Sequence, residues 1–255
     1  MFRGDRMPLL FTLGTGIFMI IGLLIVFLTK NNHKVVDISI SIAFGVMTML
    51  IFAELLPEAY EKMNEQFSTF QSVVMIFGFV IVGILILKVL DLFVPDHDVK
   101  EKETTIPENL LHIGVVSSIA LILHNIIEGM AIYSTVTTDS SMGLLVTIGV
   151  GLHNIPMGMV VTSTFYQANA NKKKTTLLVL GIALSTFLGG IIMFFLSGMI
   201  TSFVLGILLS ITLGMLFYIV VFELLEEMLH NSNPKITWLG IFIGVIIFLL
   251  TLFFE

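Results

Sequence analysis

Cysteine is absent from the 255-residue chain, tryptophan occurs once and proline six times. Without a thiol there is no disulfide framework and no thiolate metal site. So few prolines leave long stretches free of helix breakers. Charge is scarce too: 12% of residues are Asp, Glu, Lys or Arg, about half the share of a soluble domain. The formal net charge is −6 and Lys plus Arg number only 12, so no nucleic-acid partner is expected. The remainder is apolar, with 56% hydrophobic residues and a mean hydropathy of +1.05. Apolar runs longer than about 18 residues recur along the chain, which excludes an ordinary soluble domain. The expectation is an all-α polytopic membrane protein whose first partner is the lipid bilayer.

Eight transmembrane spans are predicted, at 8–29, 35–58, 70–94, 108–134, 141–166, 176–199, 202–228 and 236–254. Each is near or above the ~20 residues a helix needs to cross. The stretch from Pro8 to Thr29 is too long for the core of a cleavable signal and lacks a small-residue cleavage site, so it is read as the first span. Short connections imply a single transmembrane domain over 1–255, with a polar loop at 95–108. An even number of spans puts both termini on one side. Lys30, Lys34, Lys88, Lys100, Lys102, Lys172, Lys173, Lys174 and Lys235 fall on the other, against Arg3, Arg6 and Lys62. The positive-inside rule then makes the lysine-rich side cytoplasmic and places both termini outside the plasma membrane.

Spans 2 and 7 share a pattern. Gly45, Glu54 and Glu58 align with Gly214, Glu223 and Glu227 at a constant offset of 169 positions. Given the topology, those two spans run in opposite directions. Three helices, an antiparallel pair and three more helices form an inverted-topology repeat, which places a binding site on the pseudo-twofold axis.

The central pair carries the chemistry. Span 4 contains Leu123-His124-Asn125-Ile126-Ile127-Glu128-Gly129 and span 5 contains Leu152-His153-Asn154-Ile155-Pro156-Met157-Gly158. Polar and ionisable groups at membrane depth are costly and call for pairing or function. His124 and Glu128 are one turn apart on one helical face, as are His153 and Met157, with Asn125 and Asn154 beside them. Imidazole, carboxylate, amide oxygen and thioether together suit a borderline divalent ion such as Zn²⁺, Fe²⁺ or Mn²⁺. The plainer alternative is that these groups only hydrogen-bond helices together.

At these residues the chain resembles the ZIP (Zrt/Irt-like) family of metal-ion transporters, its bacterial GufA-type members in particular. The resemblance extends over all eight spans and includes the Glu54-Leu55-Leu56-Pro57-Glu58 segment closing span 2. It implies import of zinc, iron, manganese or cadmium into the cytoplasm, with the metal as transported substrate and no prosthetic group. It also implies a homodimer. The implied metal ligands are His124, Asn125, Glu128, His153, Asn154 and Met157. Three departures stand out: Ile127 where the family has Pro, Met157 where it has Glu, and Ser185-Thr186-Phe187 where it has an acid-Pro pair. With Glu128 as its one carboxylate, the centre is expected to hold a single metal. Met157 softens it toward Cu⁺ or Cd²⁺, or merely fills the core.

Glu54 near the outer mouth and Glu223 and Glu226 near the inner end are candidate pathway residues, with His97 of Asp96-His97-Asp98 in the cytoplasmic loop. Glu58, Glu61 and Glu227 are read as solvated helix-end acids, and His33 and His112 as interfacial. His-Glu-x-x-His is missing and no general base pairs with a nucleophile, so an enzyme is not expected. The alternative to a transporter is a non-transporting metal sensor of the same fold, because two expected carboxylates are missing.

Overall fold

In the computed structural model, residues 6–29, 33–92, 106–138, 140–168, 170–196, 198–230 and 233–253 are described. The connection at 93–105, which holds His97 and its aspartates, lies outside the described residues. Among the described residues the chain is helical throughout, and eight helices are long and apolar enough to cross a membrane. They are α1 (Met7–Leu28), α2 (Lys34–Asn64), α3 (Thr69–Asp91), α4 (Ile106–Thr138), α5 (Ser140–Gln167), α6 (Lys172–Leu196), α7 (Ser202–Leu229) and α8 (Pro234–Thr251). In hydrocarbon, helix formation satisfies every backbone donor and acceptor within its own segment, which is why apolar runs of this length become helices.

The helices sort into two groups. α1, α4, α5 and α6 pack on one another, as do α2, α3, α7 and α8. Hydrophobic burial cannot drive helix association where lipid is as apolar as leucine, so close approach of small residues takes its place. A Cβ on Gly22 of α1 would run into the Ile155 carbonyl of α5, and one on Gly158 into that of Met19. The matching seam joins α4 to α6, where Gly129 lies against the Thr186 carbonyl and Gly189 against that of Ile126. In the second group Gly45 and Gly244 close the α2–α8 seam, while Gly83 and Gly214 close α3–α7. Exchanging α1 with α6, α2 with α7, α3 with α8 and α4 with α5 maps each seam onto its counterpart, as an inverted repeat requires.

Both α2 and α7 widen into a π-helical turn, at Leu50–Leu55 and Ile219–Leu224. The two turns are separated by the same 169 positions at each end. Such turns redirect the side chains they carry and recur at functional sites. Here they carry Glu54, half-buried, and Glu223, which is 8% exposed.

Candidate metal centre

His124 lies near the middle of α4 and His153 at the middle of α5, the depth at which an inverted repeat places its site. Both are buried, at 2% and 0% exposure, and Glu128 is 9% exposed. One carboxylate oxygen joins them: Glu128 Oε1 is 2.8 Å from His153 Nε2 and 3.3 Å from His124 Nε2. Asn154 Nδ2 donates to the other oxygen, Glu128 Oε2, at 3.3 Å. Ligands sharing a zinc ion with bonds of about 2.0–2.2 Å stand about 3–3.5 Å apart. Each histidine nitrogen therefore stands near coordination spacing from that one oxygen.

The two asparagines divide their labour. Asn125 donates Nδ2 to the Ile182 carbonyl of α6 at 3.1 Å, fastening α4 to α6. Its Oδ1, like that of Asn154, is buried without a hydrogen-bond partner. Ser185 Oγ also donates to the Ile182 carbonyl. Thr186, in the α6 stretch where the acid-Pro pair was expected, is fully buried with its hydroxyl unpartnered. An unmade hydrogen bond in such a setting costs about 1–3 kcal/mol, so these buried oxygens are left wanting a donor or a cation.

Met157 is fully buried within the principal apolar core, which also contains Met19, Leu23, Val160 and Val161. The helix runs through Pro156 without interruption; the imide nitrogen offers no donor to the Leu152 carbonyl. A cavity of about 310 Å³ opens among α2, α4, α6 and α7, lined by Ile127, Tyr133, Ser134, Met193, Glu58 and Lys62, among others. From Thr137, also in its lining, to Ile127 it spans about 15 Å of α4. Glu58 therefore faces a cavity, a place its helix-end position did not suggest.

Glu54 and Glu226 join neither of the two His/acid clusters found among the described residues, and Glu226 is exposed. Glu223 does belong to one. It stands with Asp91 and His112, well away from the central pair. From the sequence His112 reads as an interfacial residue and Asp91 has no role. Their signal is present but faint: charged or imidazole side chains at the same end of α3, α4 and α7.

An all-helical chain with eight membrane-length helices and a buried imidazole–carboxylate cluster at its centre defines a multi-pass membrane protein of the metal-handling kind. The family model described as "ZIP Zinc transporter" matches residues 94–252. Zinc transporter ZupT of Streptococcus mutans is 35% identical over 183 residues, 68% of each chain. The Enterobacter sp. (strain 638) ZupT is 33% identical over 191 residues, 72% of each chain. That of Chlorobaculum parvum is 30% identical over 199 residues, 74% of this chain and 73% of its own. The chain belongs to the ZIP family of metal transporters. It is accordingly a transporter and not an enzyme, and a divalent metal ion is its cargo rather than a prosthetic group.

Proposed function

We propose that the protein imports a divalent transition metal into the cytoplasm, zinc before iron, manganese or cadmium, through a single-metal site between α4 and α5. The observation that carries this reading is the convergence of His124 and His153 on one buried oxygen of Glu128. His153 Nε2 is hydrogen-bonded to that oxygen and His124 Nε2 stands 3.3 Å from it. A cation entering between the three groups would exchange that hydrogen bond for coordination. Asn154 would keep Glu128 aimed by holding its second oxygen, the role of an outer-shell partner. Asn125 Oδ1, Asn154 Oδ1 and the Met157 thioether complete the proposed ligand set.

Charge sets the stoichiometry. Glu128 is the one carboxylate of this cluster, so one divalent ion already leaves a net positive charge in a low-dielectric setting, and a second is opposed. The cavity beside Ile127 provides the approach, with Glu58 attracting cations at its mouth. We place the lysine-bearing ends of the helices in the cytoplasm and both termini outside the plasma membrane, on the positive-inside rule. A second copy of the chain completes the partners proposed. Gly181, Ser185 and Gly189 recur at every fourth position of α6; Ser185 and Gly189 are buried within the chain and Gly181 alone of the three is exposed.

The test is zinc uptake into proteoliposomes, with single cysteines introduced at Glu61 and Lys173 to report orientation by labelling from each side. Saturable uptake in the predicted direction that is lost in Glu128→Ala supports the proposal. Zinc binding without flux would instead favour the sensor reading, to which the missing carboxylates point.

A further inference from the structure

A serine or threonine hydroxyl buried in a helix ordinarily donates to a carbonyl three or four residues back, the nearest acceptor it has. Ser39, Ser41, Ser118, Thr162, Thr164 and Ser210 all do so. Among the described residues, four buried hydroxyls have no partner: those of Ser72, Ser117, Thr186 and Thr212. Ser72 lies in the first turn of α3 and Thr186 on the α4–α6 seam. Ser117 and Thr212 are each 0% exposed, and they sit on α4 and α7, one from each helix group.

Helix geometry fixes where these two hydroxyls stand. Ser117 precedes His124 by two helical turns, so it shares that residue's face of α4, about 10 Å further along. Thr212 follows Leu209 by one turn and Leu205 by two. It therefore continues the face of α7 that lines the cavity together with Ile127 and Ala131 of α4. Beyond Thr212 the same two helices still meet, with His112 Nε2 3.8 Å from Glu223 Oε1. From the cavity to that contact α4 and α7 are antiparallel neighbours across the boundary between the two groups. Thr212 stands one turn past the cavity wall, at about the depth of His124, and Ser117 lies between His124 and His112.

We infer that the Ser117 and Thr212 hydroxyls are contacts for the moving cargo ion, Thr212 at the depth of the central cluster and Ser117 on the way from it to the far end of α4. The inference rests on the transport reading proposed above. A hydroxyl buried without a partner destabilises the fold, and back-bonding to its own helix would relieve that cost at either position. An oxygen kept out of such a bond has its lone pairs free for a cation passing along the boundary. The chemistry suits transit rather than storage. A neutral hydroxyl can replace one water of a divalent ion's hydration shell without adding charge, so it holds the ion weakly. Stations along a path have to bind well enough to admit the ion and weakly enough to let it leave. The imidazoles and carboxylate of the central cluster hold the ion; the hydroxyls beside the path pass it on.

Zinc uptake into proteoliposomes, with zinc dialysis and thermal unfolding of the same full-length variants, tests it. Ser117→Ala and Thr212→Val are each expected to lower maximal uptake at least about ten-fold, the worth of one polar contact to a charge at the barrier. Zinc affinity should stay within about two-fold of wild type, because the central ligands are untouched. Tm should hold or rise, since each change deletes an orphaned hydroxyl. Thr212→Ser keeps the hydroxyl, and Ser118→Ala deletes the neighbouring back-bonded one; both should keep uptake within about two-fold of wild type. Unchanged uptake in either Ser117→Ala or Thr212→Val, with wild type active, overturns the inference alone. So does a loss of uptake that comes with an equal loss of zinc affinity, with a lowered Tm, or equally in Ser118→Ala, each the mark of a structural role. No saturable uptake by wild type overturns the transport reading and this inference with it.

Discussion

Replacing Met157 by glutamate asks whether this position faces the cation. The thioether is fully buried in the apolar core, one helical turn beyond His153. A carboxylate there, without metal, has neither water nor a charge partner. Taking an ion out of water costs several kcal/mol even after relaxation, so metal-free Met157→Glu is expected to be markedly less stable than wild type. Zinc should reverse this. A ligand that binds only the folded protein stabilises it by RT ln(1 + [L]/Kd), about 2.7 kcal/mol at one hundred times Kd. If the added carboxylate reaches the cation, Kd falls by at least about ten-fold, and at the same zinc concentration the gain grows by about 1.4 kcal/mol. A chain of this size shifts its Tm by about 2–4 °C per kcal/mol. Thermal unfolding in detergent, with and without zinc, should therefore show a zinc-induced rise about 3–6 °C larger in Met157→Glu than in wild type. An equal or smaller rise refutes the reasoning and leaves Met157 as core filler.

Other outcomes follow from the same geometry. Glu128→Gln preserves shape and a hydrogen-bond acceptor for His153 but removes the charge, so zinc uptake should drop by more than about 100-fold while Tm moves by only a few degrees; uptake within ten-fold of wild type contradicts this. Gly129→Val drives a side chain into the Thr186 carbonyl across the α4–α6 seam, and the cost should exceed the 1–3 kcal/mol or so of ordinary overpacking, visible as loss of monodisperse protein on size exclusion. At Gly78, by contrast, an added methyl group would meet nothing within 4 Å, and Gly78→Ala should leave yield and Tm unchanged or slightly raised.

Much of the architecture was legible in the sequence because the bilayer leaves few solutions. An apolar run of about 20 residues has to be a helix, and a His-Asn pair in the middle of such a run is too costly to be incidental. His124, Glu128 and His153 meet as their spacing implied. The π-helical turns gave no warning, since nothing in Leu50–Leu55 or Ile219–Leu224 differs locally from an α-helix; only the 169-position offset linked them. Asp91 and His112 are hard to see for a related reason. Each sits at a helix end, where charge is ordinary, and only the packing of α3, α4 and α7 brings them to Glu223. Asn125 also bonds its amide nitrogen to the Ile182 carbonyl of α6, a partner set by the packing of α4 on α6 and not by any local pattern.

The central claim is that the cargo is held by His124, Glu128 and His153. Anomalous diffraction at the zinc edge from crystals grown with zinc would locate the ion directly. A peak is expected between α4 and α5, about 2.0–2.2 Å from Nε2 of both histidines and from a Glu128 oxygen. Zinc bound elsewhere in the protein, with none at those three groups, would contradict it.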